Sequence, residues 1–188
     1  MATLLERIFQ GKKAPSKPRI MRTTSATMVI LGVRYPLKIV EGKRNSARLM
    51  GDHIEFTLYP ATRENFARYS QSWYRRQARR EFEDSMSKFT PEFERLEYEI
   101  PDAQLKIYGN MRRAWGRCFY MKGVITLNLK LYRLPKECID YILLHEMAHF
   151  IAHDHGQLFR AILDKIDPQW RKKEATLRLI EQRKELLL

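Results

Sequence analysis

"HEMAHFIAHDH", residues 145–155, carries four of the five histidines in a chain of 188 residues. It opens with His-Glu-x-x-His. Two histidines four residues apart on a helix stand one turn apart on the same face. Their ring nitrogens can meet one ion at about 2.0–2.1 Å, the distance that zinc requires. Glu146 follows the first of them, so its carboxylate projects beside the ion. There it can take a proton from water and pass it to a leaving group. A catalytic zinc usually has three protein ligands and one open position. His153 and His155 compete for the third place. On a straight helix His153 lies roughly 12 Å along the axis from His145, and three groups strung along one face cannot easily surround an ion. His155, just before Gly156, can return across a turn, and we choose it. His153 is then a supporting partner, an oxyanion donor or a surface histidine. His53 stands alone in a turn and receives no role.

The sequence around this stretch alternates between strand and helix signals. "ECIDYILLHEMAHFIA" is apolar nearly all round through residues 142–144, which predicts a helix buried in the domain. Before it, "RCFYMKGVITLNLKLY" reads as a hairpin turning at Lys122-Gly123. Residues 125–132 alternate apolar and polar, predicting a strand with one buried side. After Gly156, "QLFRAILDKID" predicts a helix with Phe159, Ile162, Leu163 and Ile166 inward, ended by Pro168. A last helix follows from Trp170.

Residues 61–89 predict a long helix with Ala67, Tyr74, Ala78, Phe82 and Phe89 on one face. Arg68, Arg75 and Arg79, with Arg76 and Arg80 beside them, form a ridge that reads as a solvated surface. Residues 27–59, punctuated by Gly32, Gly42 and Gly51-Asp52, predict a small antiparallel β subregion. Residues 11–23 read as a basic linker, after a short helix over Thr3–Phe9. The domain reading is thus an N-terminal segment at 1–23 and one domain at 24–188, with its metal-site core at 103–188.

The net charge of +13 suggests an affinity for anions. It is spread rather than gathered: 19 basic and 12 acidic side chains precede residue 101, and 16 and 10 follow. This predicts at most weak, non-specific, salt-sensitive nucleic-acid binding. No apolar run is long enough to span a membrane, and the N-terminus lacks the pattern of a signal peptide. With only Cys118 and Cys138, a disulfide framework is not implied. The expected location is the reducing cytoplasm.

"RRAWGRC", "GVITLNLKLYRLP", "IDYILLHEMAH", "DHGQLF" and "DPQWRKKEATL" together resemble the YgjP-like metallopeptidase family, relatives of the SprT-like zinc proteases. The resemblance implies an α+β fold with a zincin-like core: a small twisted sheet over the HExxH helix, with flanking helices. It implies that one zinc ion per chain is held by His145, His149 and His155, with Glu146 catalytic. It also implies that residues 125–131 form the edge strand beside the cleft, to which an extended peptide can add. The family usually has an arginine before the Trp-Gly pair and a serine after it. Here these positions are Ala114 and Arg117, and Arg112 and Arg113 are candidates to compensate. Trp115 and Gly116 read as packing and turn residues. The expected function is a metal-dependent hydrolase acting on peptides. The resemblance also admits a nucleotide pyrophosphatase splitting UTP, for which Arg112, Arg113 and Arg117 suit a triphosphate, and a nucleic-acid-associated SprT-like protease.

Overall fold

The computed structural model describes residues 20–21, 26–112 and 114–183. The expected helix over Thr3–Phe9 and most of the basic linker lie outside them. Of the linker, Ile20–Met21 forms a short strand, β1. The chain packs as two compact units that divide within the long helix, one up to Arg76 and one from Gln77.

The first unit contains β2 (Thr27–Ile30), β3 (Val33–Glu41), β4 (Ser46–Met50) and β5 (His53–Leu58). Leu31 and Gly32 both take positive φ between β2 and β3, the backbone that a two-residue hairpin turn demands. The subregion is mixed rather than antiparallel, because β3 pairs with β5 in parallel. The chain leaves β3, crosses to the far edge as β4, and turns at Gly51-Asp52 back into the middle as β5. Alternation along β5 buries Ile54, Phe56 and Leu58. The Phe56 ring packs edge-on against Phe66 and Trp73 of the helix, with centroids 5.3 and 5.5 Å away.

That helix, α1, runs Arg63–Arg95, well past Phe89. It continues through Pro91 because Phe89 and Phe93, four residues apart, are both buried. Their packing outweighs the hydrogen bond a proline forfeits. The inward face of its first half is set by Phe66, Ser70 and Trp73, and Ala67 is exposed. Arg68, Arg76, Arg79 and Arg80 are exposed, as a solvated ridge should be. Arg79 pairs with Glu83 at 3.2 Å.

The second unit holds a three-stranded sheet: β6 (Gln104–Tyr108), β7 (Gly116–Phe119) and β8 (Val124–Asn128). Its order is β6-β8-β7. The strand expected at the edge, β8, is therefore central, and β7 is an edge. β8 is also shorter and more buried than its alternation suggested. Ile125, Thr126, Leu127 and Asn128 are all buried, since a central strand covered on both faces has no wet side. It ends where the Asn128 side chain accepts the Lys130 N–H at 3.1 Å and caps a 3-10 turn over Leu129–Arg133. Three helices follow: α2 (Lys136–Ala148), α3 (Gln157–Ile166) and α4 (Trp170–Arg183). Among the described residues, no helix is long and apolar enough to cross a membrane.

Helix α2 buries ten of its thirteen residues, including the carboxylate of Asp140, 5 % exposed. A buried charge is tolerated only when paired and hydrogen-bonded. Asp140 accepts from Ser85 at 2.8 Å and pairs with Lys88 at 2.8 Å and Lys136 at 2.9 Å. This cluster ties α2 to the second half of α1. Burial pushes the Asp140 carboxyl up, but the hydrogen bonds from Lys88, Lys136 and Ser85 outweigh it and hold it below its ordinary value. The resulting stabilisation is present above the unfolded carboxyl's range and disappears as pH falls through the lower folded value. We expect Asp140→Asn to lower unfolding stability by about 1–3 kcal/mol at neutral pH, with the difference shrinking in strong acid. Urea titrations of both proteins across pH measure this.

Candidate metal centre

Helix α2 ends at Ala148, and His149 follows as its cap, still in helical backbone conformation. The four-residue spacing thus keeps His145 and His149 on one face. The chain then turns at once. Ala152 N–H donates to the Ala148 carbonyl at 2.9 Å, and His149 Nδ1 donates to the Ala152 carbonyl at 2.9 Å. The second bond fixes the tautomer, leaving Nε2 of His149 as a bare lone pair. Asp154 accepts the Gly156 N–H at 2.9 Å. A Cβ at Gly156 would come within 2.7 Å of that same Asp154 oxygen. Helix α3 starts immediately after, and the turn carries His155 back over α2.

His145, His149 and His155 converge so that one nitrogen of each lies within 4.8 Å of the others. His145 Nε2 and His155 Nε2 are 3.0 Å apart. A tetrahedral ion bound at 2.0–2.1 Å separates two such nitrogens by roughly 3.3 Å, so small side-chain shifts accommodate it. Phe159 of α3 forms an apolar wall, its ring 4.8–4.9 Å from all three imidazoles. Burial, then repulsion from His149 and His155, pushes His145 down to about 3. Burial also lowers His149, against the Ala152 hydrogen bond that raises it. These two rings are neutral at physiological pH, with lone pairs free for a cation. Three imidazoles at this spacing fit a divalent metal, zinc among the best matched.

Glu146, 6 % exposed, points toward β7. A Cβ on Gly116 would come within 2.7 Å of the Glu146 side chain. Gly116 is therefore not a turn residue as expected. It opens the edge strand, and its missing side chain makes room for the carboxylate. Burial pushes Glu146 up to about 7, partly offset by a hydrogen bond from the Cys118 backbone and by the positive charge of Arg117.

The remaining candidates are dispersed. His153 is outside the histidine cluster, exposed, with its ring stacked on Tyr120 at 3.8 Å. Arg117 is exposed on β7, its guanidinium 5.9 Å from the Phe119 ring centroid. Arg112 lines a cavity beyond the start of β7, and Arg113 lies outside the described residues. Trp115, expected to pack, is half-buried and lines the same cavity, and its indole N–H donates to Glu181 at 2.6 Å. His53, at the start of β5, contacts Asp52 at 2.7 Å. Sequence reasoning missed what Gly116, Cys118, Tyr120 and Phe159 do here. Only Gly116 left a signal: a glycine within a strand often marks close approach by another group.

The model of the family described as "YgjP-like, metallopeptidase domain" matches residues 4–179. No curated protein matches. Among solved structures the chain is similar to the crystal structure of the metallopeptidase zymogen of Pyrococcus abyssi abylysin, at 27% identity and a TM-score of 0.44. That match covers 54% of this chain and 93% of the other. With a family match that takes in the β units, the HExxH helix and most of the last helix, the chain belongs to the YgjP-like metallopeptidase domains and is a metal-dependent hydrolase.

Proposed function

We propose that the protein is a zinc-dependent peptidase in which His145, His149 and His155 hold the ion and Glu146 is the general base and acid. The observation that carries this reading is the convergence of three imidazoles beside a buried carboxyl that abuts an edge strand. When bound, a zinc ion supplies Lewis acidity: it polarises a carbonyl and brings the pKa of water toward neutrality. The chain's own residues do the rest. Glu146, raised by burial to about 7, is basic enough to take a proton from water and acidic enough to return it to the departing amine. Gly116 leaves room for that carboxyl to lie against the strand. Among the described residues β7 has a sheet partner on one side only. Its free edge offers backbone donors and acceptors to an extended peptide, and this replaces the expected role of residues 125–131. Cys118 and Cys138 are unpaired, which supports a reducing compartment such as the cytoplasm. Nucleoside triphosphates and nucleic acid gain no support from a family match to a peptidase domain.

Removing one imidazole should leave two ligands, which hold zinc poorly. His145→Ala, His149→Ala and His155→Ala should each lose the metal, whereas His153→Ala should retain about one ion per chain. Elemental analysis of the purified variants decides this; metal kept in His155→Ala and lost in His153→Ala would sink the ligand assignment.

Glu146→Gln preserves shape but cannot accept the proton. It should keep the metal and lower peptide turnover by about 10²–10⁴-fold. Activity within about threefold of the parent would assign the base elsewhere.

Gly116→Ala tests the contact between strand and carboxyl. The added methyl must displace Glu146, so turnover should fall while metal content stays at parental level. Unchanged steady-state kinetics would show that the carboxyl works equally well displaced.

A further inference from the structure

A cavity of 340 Å³ opens where β7 begins and β8 ends. Its walls are held by hydrogen bonds rather than by loose loop contacts. The buried Asn128 side chain donates to the carbonyls of Met111 at 3.0 Å and Ala114 at 3.4 Å. Its oxygen accepts from Lys130 N–H at 3.1 Å, and its own backbone N–H donates to the Trp115 carbonyl at 2.8 Å. On another wall the Trp115 indole is fixed by Glu181. A binding group entering such a space meets walls that need little further ordering.

The charges on the lining are unequal. Arg112 and Lys130 are the cations on the described lining, Lys130 with a partner of its own, and Glu181 is the carboxylate, engaged by the indole. Arg112 is exposed and forms no ion pair among the described residues. Its planar guanidinium suits a carboxylate, which it can grip with two parallel hydrogen bonds. One guanidinium without an ion-pair partner among the described residues matches one carboxylate better than the several charges of a triphosphate.

The position is as informative as the chemistry. Trp115 in the cavity wall directly precedes Gly116, which touches Glu146. A peptide extended along β7 advances about 3.3 Å per residue. It would reach the cavity within a few residues of the bond held near Glu146.

We propose that this cavity is a recognition subsite for one carboxylate of the substrate peptide, carried by an Asp or Glu side chain or by the C-terminus. This rests on the peptidase reading above and adds a substrate class to it.

The test uses the zinc-loaded full-length protein and matched internally quenched peptides. One series places Glu or Gln at successive positions on either side of the cleaved bond. A second compares free and amidated C-termini. One acidic position, or the free C-terminus, should raise kcat/KM about tenfold through KM, the size of one charged hydrogen bond. A Glu preference that survives amidation assigns the side chain; a preference lost on amidation assigns the terminus. Arg112→Ala should raise KM for the acidic peptide about tenfold relative to its neutral partner while kcat holds, and Arg112→Lys should restore part of the preference. Arg112 is exposed, so these variants should fold.

Equal cleavage of the Glu and Gln peptides, together with no effect of amidation, would overturn the subsite. So would an equal loss for acidic and neutral peptides in Arg112→Ala, or competition by UTP stronger than by an acidic tripeptide. If no peptide is cleaved, the peptidase reading fails. The subsite is then judged by calorimetric titration with the same Glu and Gln peptides, where tighter binding of the acidic peptide supports it and equal affinity overturns it.

Discussion

His149 gives its Nδ1 proton to the carbonyl of Ala152, and the geometry of the histidine cluster depends on that bond. It joins the end of α2 to the chain that has just left it. It holds the imidazole in one tautomer, with the lone pair on the opposite nitrogen. It also satisfies a backbone acceptor in the turn, where the helix no longer can. The turn has only five residues between His149 and His155, and without it the third imidazole would continue away from the first two. Phe159, in the first turn of α3, then backs all three rings with an apolar surface. That surface contributes to the burial that keeps His145 neutral.

The second constraint is the contact between α2 and β7. A helix can bring a carboxylate beside a strand only if the strand presents little bulk there, and Gly116 presents none. The same burial that pushes Glu146 up to about 7 brings it against the Cys118 backbone, and Arg117 adds a cation nearby. The carboxyl is thus balanced between burial, which favours its neutral form, and two groups that favour its charge. The sheet order decides what lies beyond it. With β8 in the centre, the strand next to α2 is an edge of its sheet among the described residues.

Helix α2 must be held firmly for these contacts to persist, and its burial supplies most of the hold. Residues such as Ile139, Leu143 and Leu144 are fully covered, each contributing about 1.5–3 kcal/mol relative to exposure. The cluster of Asp140 with Ser85, Lys88 and Lys136 adds direction to that apolar packing. Hydrophobic burial does not distinguish one rotation of a helix from a nearby one as sharply as a buried charge with fixed partners does. In the orientation in which Asp140 is paired, His145 faces the turn that carries His155 and Glu146 faces the edge strand.

The sequence by itself determined the parts whose chemistry is local. The i, i+4 spacing of His145 and His149 fixes a shared helical face, and Gly156 next to His155 marks a chain reversal, which favoured His155 over His153 as the imidazole that joins them before any coordinates. The all-apolar run at 142–144 similarly announced a buried helix. What only the tertiary structure decided depends on pairings between distant segments. Alternation along residues 125–131 reads the same for an edge strand as for a central one, because period two reports which faces are covered and not which edges are paired. The parallel pairing of β3 with β5, the passage of α1 through Pro91 and the rotation that exposes Ala67 depend likewise on neighbours far along the chain. Gly116 was read as a turn because a glycine's need for space is visible only once the group that fills it, here the Glu146 carboxyl, has been brought there by packing.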